Sequence, residues 1–306
     1  METNIALNKR SILLKKPFFY KKETDFSNKE FRNELSKIFS ASKLNCKYQV
    51  VILAAGKGSR MNIKYPKNLY KFDYPDGRKT LLRNNLDQLK KLKKHIQKIN
   101  IVIRDEDKLF YKKYEEIDSI RIITLKENEI RGTAVCLNNI RDEIKETENV
   151  LLFWGDLALI PLKDIFFSMC IFESACTDFL FPTRYKIDPY VSFARDGDGK
   201  IKEVIHSNEG GEVPKWGEQD CLFFILKTKT LEQLKVFLDS KPIDKELDFV
   251  HFIPHLERNK FNIAAIPISK DSDIFGLNNK DAAAIIQTKL DSLSYENFKK
   301  EFLLKD

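Results

Sequence analysis

The feature that most constrains this chain is a buried strand that ends in a glycine-rich, basic loop. Residues 48–55 read YQVVILAA, a nearly continuous apolar run typical of a strand that is buried on both faces. The sequence GKGSR follows at 56–60, which predicts accessible backbone N–H groups and a basic side chain beyond the end of that strand. Because ligands of open parallel sheets bind beyond the carboxyl ends of the strands, this loop is the first candidate site.

Strand and helix patterns alternate along the rest of the first half of the chain. We predict strands at 99–105, 120–127, 149–156 and 262–269, and helices at 80–97, 108–117, 132–146 and 279–293. This alternation predicts an α/β protein with a Rossmann-like, mostly parallel sheet and helices on both faces. Short apolar runs with short connections between 178 and 228 predict a mixed-sheet extension that forms a substrate lobe.

The first 46 residues are predicted to be a helical extension of a domain that covers residues 47–306. Ser27 and Glu30 form a capping-box pattern, and apolar residues follow them at helical spacing. One amphipathic helix is therefore predicted here. This helix is a candidate segment for self-association, and a homo-oligomer is therefore one candidate assembly.

Composition narrows the class of protein and the class of partner. In 306 residues no apolar run reaches the ~18 residues of a membrane span, and the five cysteines form no CxxC pair, so we expect a reducing, cytoplasmic setting without a membrane partner. The net charge of +8 favours an anionic ligand. The densest basic run, at 89–95, is interleaved with leucines at helical spacing, which favours a solvated helix face over a nucleic-acid partner.

The loop at 56–60 matches neither of two familiar phosphate-binding motifs. Lys57 follows the first glycine directly, which excludes the P-loop pattern, and Met61 stands where a dinucleotide fingerprint has its third glycine. The loop still offers suitable groups: bare backbone at Gly56 and Gly58, and the guanidinium fork of Arg60.

The longer string LAAGKGSRM, followed by PK at 66–67, resembles the signature of the nucleotidyltransferases that join a nucleoside triphosphate to a sugar 1-phosphate. The likeness is greatest to the pyrophosphorylase domain of the bifunctional UDP-N-acetylglucosamine-forming enzymes and covers about residues 48–290. It implies an NTP-transferase fold and the products NDP-sugar and pyrophosphate. It also implies phosphate contacts by Arg60 and Lys67, and a nucleotide-binding loop that comprises Leu53, Ala54, Ala55, Gly56, Gly58 and Ser59.

Two oxygen-bearing side chains are candidate ligands of a divalent cation. Asp156 follows the apolar strand at 149–154, where a carboxylate is either a helix cap or a metal ligand. Asn278 precedes the last predicted helix, for which Asn279 is the nearer cap. The resemblance implies that Asp156 and Asn278 coordinate Mg²⁺, and this small set of hard oxygen ligands suits that ion.

The base-reading segment departs from the family pattern. Gly132-Thr133 match the Gly-Thr that lies against the base, but Glu127 occupies the position of the glutamine that reads uracil. Glutamine donates and accepts, whereas an ionised glutamate only accepts and suits the amino group of cytosine or the N–H edge of guanine. UTP is therefore the family default, and CTP and GTP stay open; Asn128 is a second candidate for the reader.

The acceptor-reading positions, which the resemblance places at Tyr190, His206 and Asp220, also depart from the family. Val191 replaces a glycine after Tyr190, His206 replaces a glutamate, and Asp220 replaces an asparagine. Two alternatives to the sugar nucleotidyltransferase therefore remain: a cytidylyltransferase for a non-sugar phosphate, and a catalytically silent nucleotide-binding regulatory module of the same fold.

Overall fold

The computed structural model describes residues 44–144, 147–159, 162–241, 246–267 and 275–302. The helix predicted after Ser27 lies outside these residues, so the division at residue 46 stays a prediction. Within the described residues no helix is both long and apolar enough to cross a membrane.

Strands and short helices alternate along the described chain. The strands are β1 (Tyr48–Leu53), β2 (Lys71–Tyr74), β3 (Gly77–Thr80), β4 (Ile96–Arg104), β5 (Ile120–Leu125), β6 (Asn149–Trp154), β7 (Leu157–Leu159), β8 (Phe179–Ile187), β9 (Val191–Arg195), β10 (Ile201–His206), β11 (Trp216–Asp220), β12 (Phe223–Lys227), β13 (Ile263–Pro267) and β14 (Phe275–Gly276). The helices are α1 (Leu81–Lys90), α2 (Lys108–Glu115), α3 (Thr133–Asn139), α4 (Leu162–Ser174), α5 (Thr228–Asp239), α6 (Ile253–Arg258), α7 (Lys280–Asp291) and α8 (Tyr295–Phe302).

One mixed sheet organises these elements. Its order is β11-β8-β12-β6-β1-β4-β5, and β13 pairs with β8 as an additional strand. β5, β4, β1 and β6 are mutually parallel, whereas β12 runs antiparallel to β6 and β8. The predicted mostly parallel sheet is confirmed, and its mixed extension begins at β12.

β1 lies at the point where the order of the parallel strands reverses. Its partner on one side is β4, and its partner on the other side is β6, which comes later in the chain. Connections from such neighbouring strands leave in opposite directions, and a crevice opens between them at the carboxyl ends. The loop at 56–60 therefore begins at this crevice.

Two apolar clusters cover the two faces of the sheet, as the continuous burial of β1 requires. One contains Tyr48, Val50 and Ile52, and the other contains Val51 and Leu53, so alternate residues of the same strand serve both clusters. Every residue of β1 is buried. Because the strand is buried from both sides, its register and the position of the following loop are fixed.

A third apolar cluster joins distant parts of the chain beside the crevice. It packs Met61 from the glycine loop against Ala158 and Leu159 of β7 and against Leu277 and Ile286 around α7. The short strands β7 and β14 pair within this cluster. Burial of this apolar surface therefore holds the loop after β1, the segment after β6 and the segment before α7 in one place.

Gly155 is set by a close backbone approach between β1 and β6. Its N–H donates to the Leu53 carbonyl at 2.8 Å. A Cβ at residue 155 would lie 2.7 Å from that carbonyl oxygen and 2.8 Å from Ala54 Cα, distances that a real Cβ does not adopt. The glycine before Asp156 is thus a steric requirement of the strand ends.

Some element boundaries differ from the predictions. The helix predicted over 80–97 ends at Lys90, and β4 begins at Ile96, because Ile96 pairs with Tyr48 at the start of β1. Leu92 is buried in the intervening turn, so its helical spacing reflects burial alone. The β2–β3 hairpin and β11 were not predicted, because their short polar sequences carry little apolar alternation.

Candidate active site

Two adjoining cavities open at the crevice beside β1. The first cavity has a volume of about 450 Å³ and the second about 640 Å³. Both are lined by Ala55, Gly56, Arg60 and Lys67, so the loop after β1 forms their common wall. The remaining predicted loop residues also line these cavities: Leu53 and Ala54 the first, and Gly58 and Ser59 the second.

The second cavity is strongly basic. Besides Arg60 and Lys67, it is lined by Lys57, Arg104 and Arg131. Arg104 ends β4, the strand next to β1, and its Nε donates to Asp107 Oδ2 at 2.8 Å. This density of cations around exposed glycine backbone suits a polyphosphate.

Lys67 and Asp156 form an ion pair where the two cavities meet. Lys67 Nζ lies 2.6 Å from Asp156 Oδ2, and the two side chains are only 19% and 16% exposed. Lys67 belongs to the short helical turn after Pro66, whereas Asp156 directly follows Gly155. A predicted phosphate cation and a predicted metal ligand thus lie in direct contact.

The backbone brings Asp156 and the segment of Asn278 together. Leu277 N–H donates to the Asp156 carbonyl at 2.8 Å, and this bond extends the pairing of β7 with β14. Asn278 is exposed and lines the second cavity. The neighbouring Asn279 caps α7 by accepting from Ala282 N–H at 2.8 Å, so the cap is provided without Asn278.

The oxygen atoms at this point suit a small hard cation. Asp156 Oδ1 is buried and has no hydrogen-bond partner among the described residues, although buried carboxylate oxygens normally have one. No cluster of three or more His, Cys, Asp or Glu ligands occurs in the described ranges. A cation here would therefore draw its other ligands from Asn278, phosphate oxygens and water, which is how Mg²⁺ is usually held.

Gly132 and Thr133, the predicted base-side pair, line the first cavity. Gly132 has φ +92°, and a Cβ there would lie 2.3 Å from the Leu247 carbonyl oxygen, so only glycine fits. The Thr133 hydroxyl donates to Asp248 Oδ1 at 2.8 Å and accepts from Phe249 N–H at 2.7 Å. Segment 246–249 is therefore hydrogen-bonded to, and packed closely against, the start of α3.

Glu127, the predicted base reader, lines the second cavity at its rim. Its side chain is 80% exposed and accepts a hydrogen bond from Lys57 Nζ at 2.6 Å. The hydrogen bond from Lys57 and the charge of Lys57 lower the pKa of Glu127, and the same bond with the charge of Glu127 raises the pKa of Lys57. Glu127 is therefore ionised and acceptor-only near neutral pH. Neighbouring Asn128 is also exposed.

Tyr190 and His206 extend the first cavity beyond the loop, as predicted. Their rings meet edge to face with centroids 4.5 Å apart, and His206 Nε2 lies 3.7 Å from Asp248 Oδ2. The contact with Asp248 raises the pKa of His206. Burial raises the pKa of Asp248, but the bonds from His206 and Thr133 outweigh it and hold that pKa below its usual value.

A second imidazole–carboxylate contact lies beside the first. His251 Nε2 is 2.9 Å from Glu209 Oε1, and the His251 and His206 ring centroids are 6.2 Å apart. Glu209 and Glu246 also line the first cavity. Beyond the phosphate-side cations, this part of the cavity is therefore rich in carboxylates.

Comparison with known proteins agrees with this geometry. The model of the MobA-like NTP transferase domain matches residues 50–190, which include the glycine loop, Lys67 and Asp156. The resemblance to nucleotidyltransferases seen in the sequence is confirmed by this match and by the relatives and solved structures described next.

The sequence relatives match a longer part of the chain than the 50–190 segment. "Bifunctional protein GlmU" of Buchnera aphidicola subsp. Schizaphis graminum is 28% identical over 253 residues, covering 78% of this chain and 50% of the relative. The protein of the same name from Thermodesulfovibrio yellowstonii is 25% identical over 246 residues, covering 76% and 49%. The chain spans about half the length of these curated relatives.

Solved structures share the fold of this chain. A putative glucose-1-phosphate thymidylyltransferase from Bacillus anthracis aligns with a TM-score of 0.63 at 15% identity, over 81% of this chain and 97% of that chain. An inositol-1-phosphate CTP transferase from T. maritima aligns with a TM-score of 0.59 at 13% identity, over 82% and 98%. At such identities the likeness shows the fold alone.

Asp220, the third predicted acceptor residue of the NTP transferase fold, lines neither cavity. It ends β11, is 3% exposed, and accepts from Leu222 N–H at 2.9 Å. Burial, with a contribution from the Asp248 charge, raises the pKa of Asp220 to about 6. Unlike Tyr190 and His206, Asp220 is therefore not part of the cavity lining, although its charge contributes to raising the pKa of His206.

Sequence reasoning missed two groups of lining residues. Arg104 had an available signal, because it ends the strand next to β1 and parallel strand ends meet at one sheet edge. Glu209, Glu246 and Asp248 had none, since they lie in irregular segments whose position depends on tertiary contacts such as that between Gly132 and Leu247.

We predict that Asp220→Asn stabilises the protein at alkaline pH. A carboxyl whose folded-state pKa is about 6, against 3.8 when unperturbed, destabilises the fold once it must ionise. This cost is full above pH 6 and disappears as pH falls toward 4, and the asparagine oxygen still accepts from Leu222. Urea unfolding at pH 8 is expected to show a gain of up to about 3 kcal/mol, and at pH 4 almost none.

A gain of equal size at both pH values would contradict the buried-carboxylate account. The same variant tests the predicted acceptor role. If Asp220 contacts the acceptor, the KM for that substrate rises in the variant, whereas its position outside both cavities leads us to expect no change.

Proposed function

We propose that this protein is an active Mg²⁺-dependent nucleotidyltransferase that joins a nucleoside triphosphate to a phosphorylated small-molecule acceptor and releases pyrophosphate. The observation that carries the proposal is the contact of Lys67 with Asp156 beside the glycine loop. One half of the contact suits phosphate and the other suits a divalent cation, and both face the cavities at the carboxyl end of β1.

In this reaction the neutral and the basic residues of the loop have different roles. Gly56, Gly58 and Ser59 offer the nucleotide close backbone approach, and Arg60 and Lys67 bind its phosphates. An oxygen of the acceptor phosphate attacks the α-phosphorus; a new P–O bond forms as the bond to the β-phosphate oxygen breaks, and pyrophosphate leaves. The two cations stabilise the charge on the leaving group, and catalysis rests on positioning and electrostatics.

Asp156 and Asn278 are the residues that would hold Mg²⁺. When bound, that ion would neutralise phosphate charge during the transfer. Lys67 also affects cation binding, because its Nζ donates a hydrogen bond to one carboxylate oxygen of Asp156 at 2.6 Å. For a cation to use both carboxylate oxygens, Lys67 must move its Nζ to a phosphate oxygen, so nucleotide and cation are expected to bind cooperatively.

We predict that Lys67→Met raises the affinity for Mn²⁺ in the absence of nucleotide by at least about tenfold. Removal of the lysine leaves a largely buried carboxylate without its cation, and the metal then compensates that charge. Mn²⁺ binding followed by electron paramagnetic resonance measures this directly. Lys64→Met, at an exposed lysine of the same loop, is the matched control. Equal affinity in Lys67→Met and wild type would show that Asp156 is not the ligand.

We expect Asp156→Asn to lower turnover by at least about a hundredfold while the fold is retained, because the amide oxygen still accepts from Lys67 but has lost its charge. The measurement is pyrophosphate release with each of the four nucleoside triphosphates against a panel of sugar, polyol and amino-alcohol phosphates, with Mg²⁺ and with a chelator. Asp291→Asn on α7 is the control for a distant exposed carboxylate.

The same panel separates the proposal from a silent regulatory module of this fold. A silent module would bind a nucleoside triphosphate, as seen by calorimetry, and would release no pyrophosphate with any acceptor. Turnover that persists in the chelator would contradict the proposed metal dependence.

The base is proposed to be read in part by Glu127, with CTP or GTP as alternatives to the family default UTP. Glu127 is ionised and lies at the rim of the second cavity with Lys57. Glu127→Gln restores a donor, and we predict that the ratio of kcat/KM for UTP to that for CTP rises. Glu129→Gln, whose carboxylate bonds to Lys126 N–H at 2.7 Å, is the nearby control. An unchanged base ratio would remove Glu127 as the reader.

A further inference from the structure

The acceptor end of the first cavity has a composition of its own. We call the residues Tyr190, His206, Glu209, Glu246 and Asp248 the acidic wall; all five line the first cavity, and Glu246, which also lines the second cavity, lies where the wall meets the basic residues. The chain as a whole has a net charge of +8, and five basic side chains line the second cavity. Carboxylates concentrated on one wall of a basic site indicate a ligand with positive charge at that end.

The acidic wall keeps an excess of negative charge whatever the state of its histidines. Its three carboxylates face two imidazoles, His206 at Asp248 and His251 at Glu209. Glu209 and Glu246 are exposed to solvent, and the bonds that Asp248 accepts favour its ionised form. Even with both imidazoles protonated, one carboxylate charge has no counter-charge within the wall.

Aromatic rings accompany these carboxylates. Tyr190 is 42% exposed, and the indole of Trp154 lines the same cavity. Trp154 packs against Phe249, the residue after Asp248, with ring centroids 5.8 Å apart, so the indole lies close to the acidic wall. Carboxylates together with tyrosine and tryptophan faces are the groups that bind ammonium cations.

The acidic wall adjoins the phosphate-binding residues. Burial raises the pKa of the Tyr190 hydroxyl; the nearby guanidinium of Arg60 lowers it, and the carboxylates of Asp248, Asp156 and Glu209 raise it. Arg60, Tyr190 and the carboxylates of the wall line the same cavity, so the wall adjoins the predicted phosphate cation. An acceptor whose phosphate is held at Arg60 reaches the wall with its other end.

A neutral polyol suits the acidic wall less well. Hydroxyl groups are best held by side chains that both donate and accept, such as amides. The one amide among the described residues of this cavity, Asn68, is 2% exposed, and its oxygen accepts from the Tyr111 hydroxyl at 2.6 Å. The wall itself offers mainly acceptors, which match the N–H donors of an amine.

We propose that the acceptor is a phosphomonoester that carries a cationic amino group, bound by the carboxylates of the acidic wall and covered by Tyr190 and Trp154. This inference rests on the proposed function and specifies its substrate class. The amino group does not react: the new P–O bond forms at the phosphate end, and the cation fixes the orientation of the acceptor. A short amino alcohol and an amino sugar share this chemistry.

The test compares matched acceptors that differ in charge. Full-length protein with Mg²⁺ and each nucleoside triphosphate is assayed with 2-aminoethyl phosphate against 2-hydroxyethyl phosphate, and with glucosamine 1-phosphate against glucose 1-phosphate. In at least one pair we expect the amine to have a kcat/KM at least about tenfold higher at pH 7, as one charge-assisted contact provides. The pair that shows the preference identifies the source of the amine.

Glu246→Gln tests the charge of the wall, because this exposed side chain can lose its charge without disturbing the core. Asp248→Asn tests the inner position, where the asparagine oxygen still accepts from Thr133. Both variants are expected to reduce the preference for the amine by at least about threefold and to change the use of the neutral acceptor less. Glu203→Gln, an exposed carboxylate of β10 outside both cavities, is the matched control.

The inference fails if, in both pairs, the neutral acceptor has the same kcat/KM as the amine. It also fails if the wall variants keep the wild-type preference for the amine. Pyrophosphate release from neutral acceptors alone would uphold the proposed function and overturn the inference. If no acceptor turns over, calorimetry of the same four phosphates with a non-hydrolysable triphosphate analogue decides. Binding without preference for the amine, or no binding, overturns it.

Discussion

The candidate site depends on one short backbone contact between distant parts of the chain. Leu277 N–H bonds to the Asp156 carbonyl, and the pairing of β7 with β14 continues this contact over buried residues of the third apolar cluster. Without it, Asn278 would have no fixed relation to the strand end that carries Asp156. The main-chain bond does not depend on side-chain charge, so the two proposed cation ligands are positioned by the fold itself. This is preorganisation in the ordinary physical sense.

The site also separates charge over a short distance. Five cations and two carboxylates, Glu127 and Glu246, line the second cavity, whereas carboxylates and aromatic rings line the part of the first cavity around Tyr190. Lys67 and Asp156 lie at the boundary and neutralise each other in the absence of substrate. A partly desolvated lysine or aspartate without a counter-charge would be costly, and the 2.6 Å contact gives each group one. On binding, a polyphosphate would become the counter-charge of Lys67, and a divalent cation would become the counter-charge of Asp156.

Sequence alone predicted the parts of this site that belong to regular elements. The run at 48–55 and the strand before Asp156 are buried on both faces, so their pattern is unambiguous and the strand ends follow from it. Asn278 could be identified as a candidate because its position just before a helix is visible in the local sequence. Asp248 was not, because its place depends on the packing of Leu247 against Gly132. Asp220 shows the converse limit: a position inferred by resemblance lies at the buried end of β11, which pairs with β8, and lines neither cavity.

The hydrogen bond from Thr133 to Asp248 has a consequence for how specificity could change in this protein. One residue stands at the start of the helix beside the predicted base pocket, and the other bonds to His206 at the acceptor end. Because this bond joins both segments, together with the backbone bonds of Leu247 to Arg131 and Ala134, a substitution that remodels one recognition surface will shift the other. Replacing one of these segments with that of a relative would change only one side of the bond. A change of nucleotide specificity and a change of acceptor specificity would therefore have to evolve, or be engineered, together.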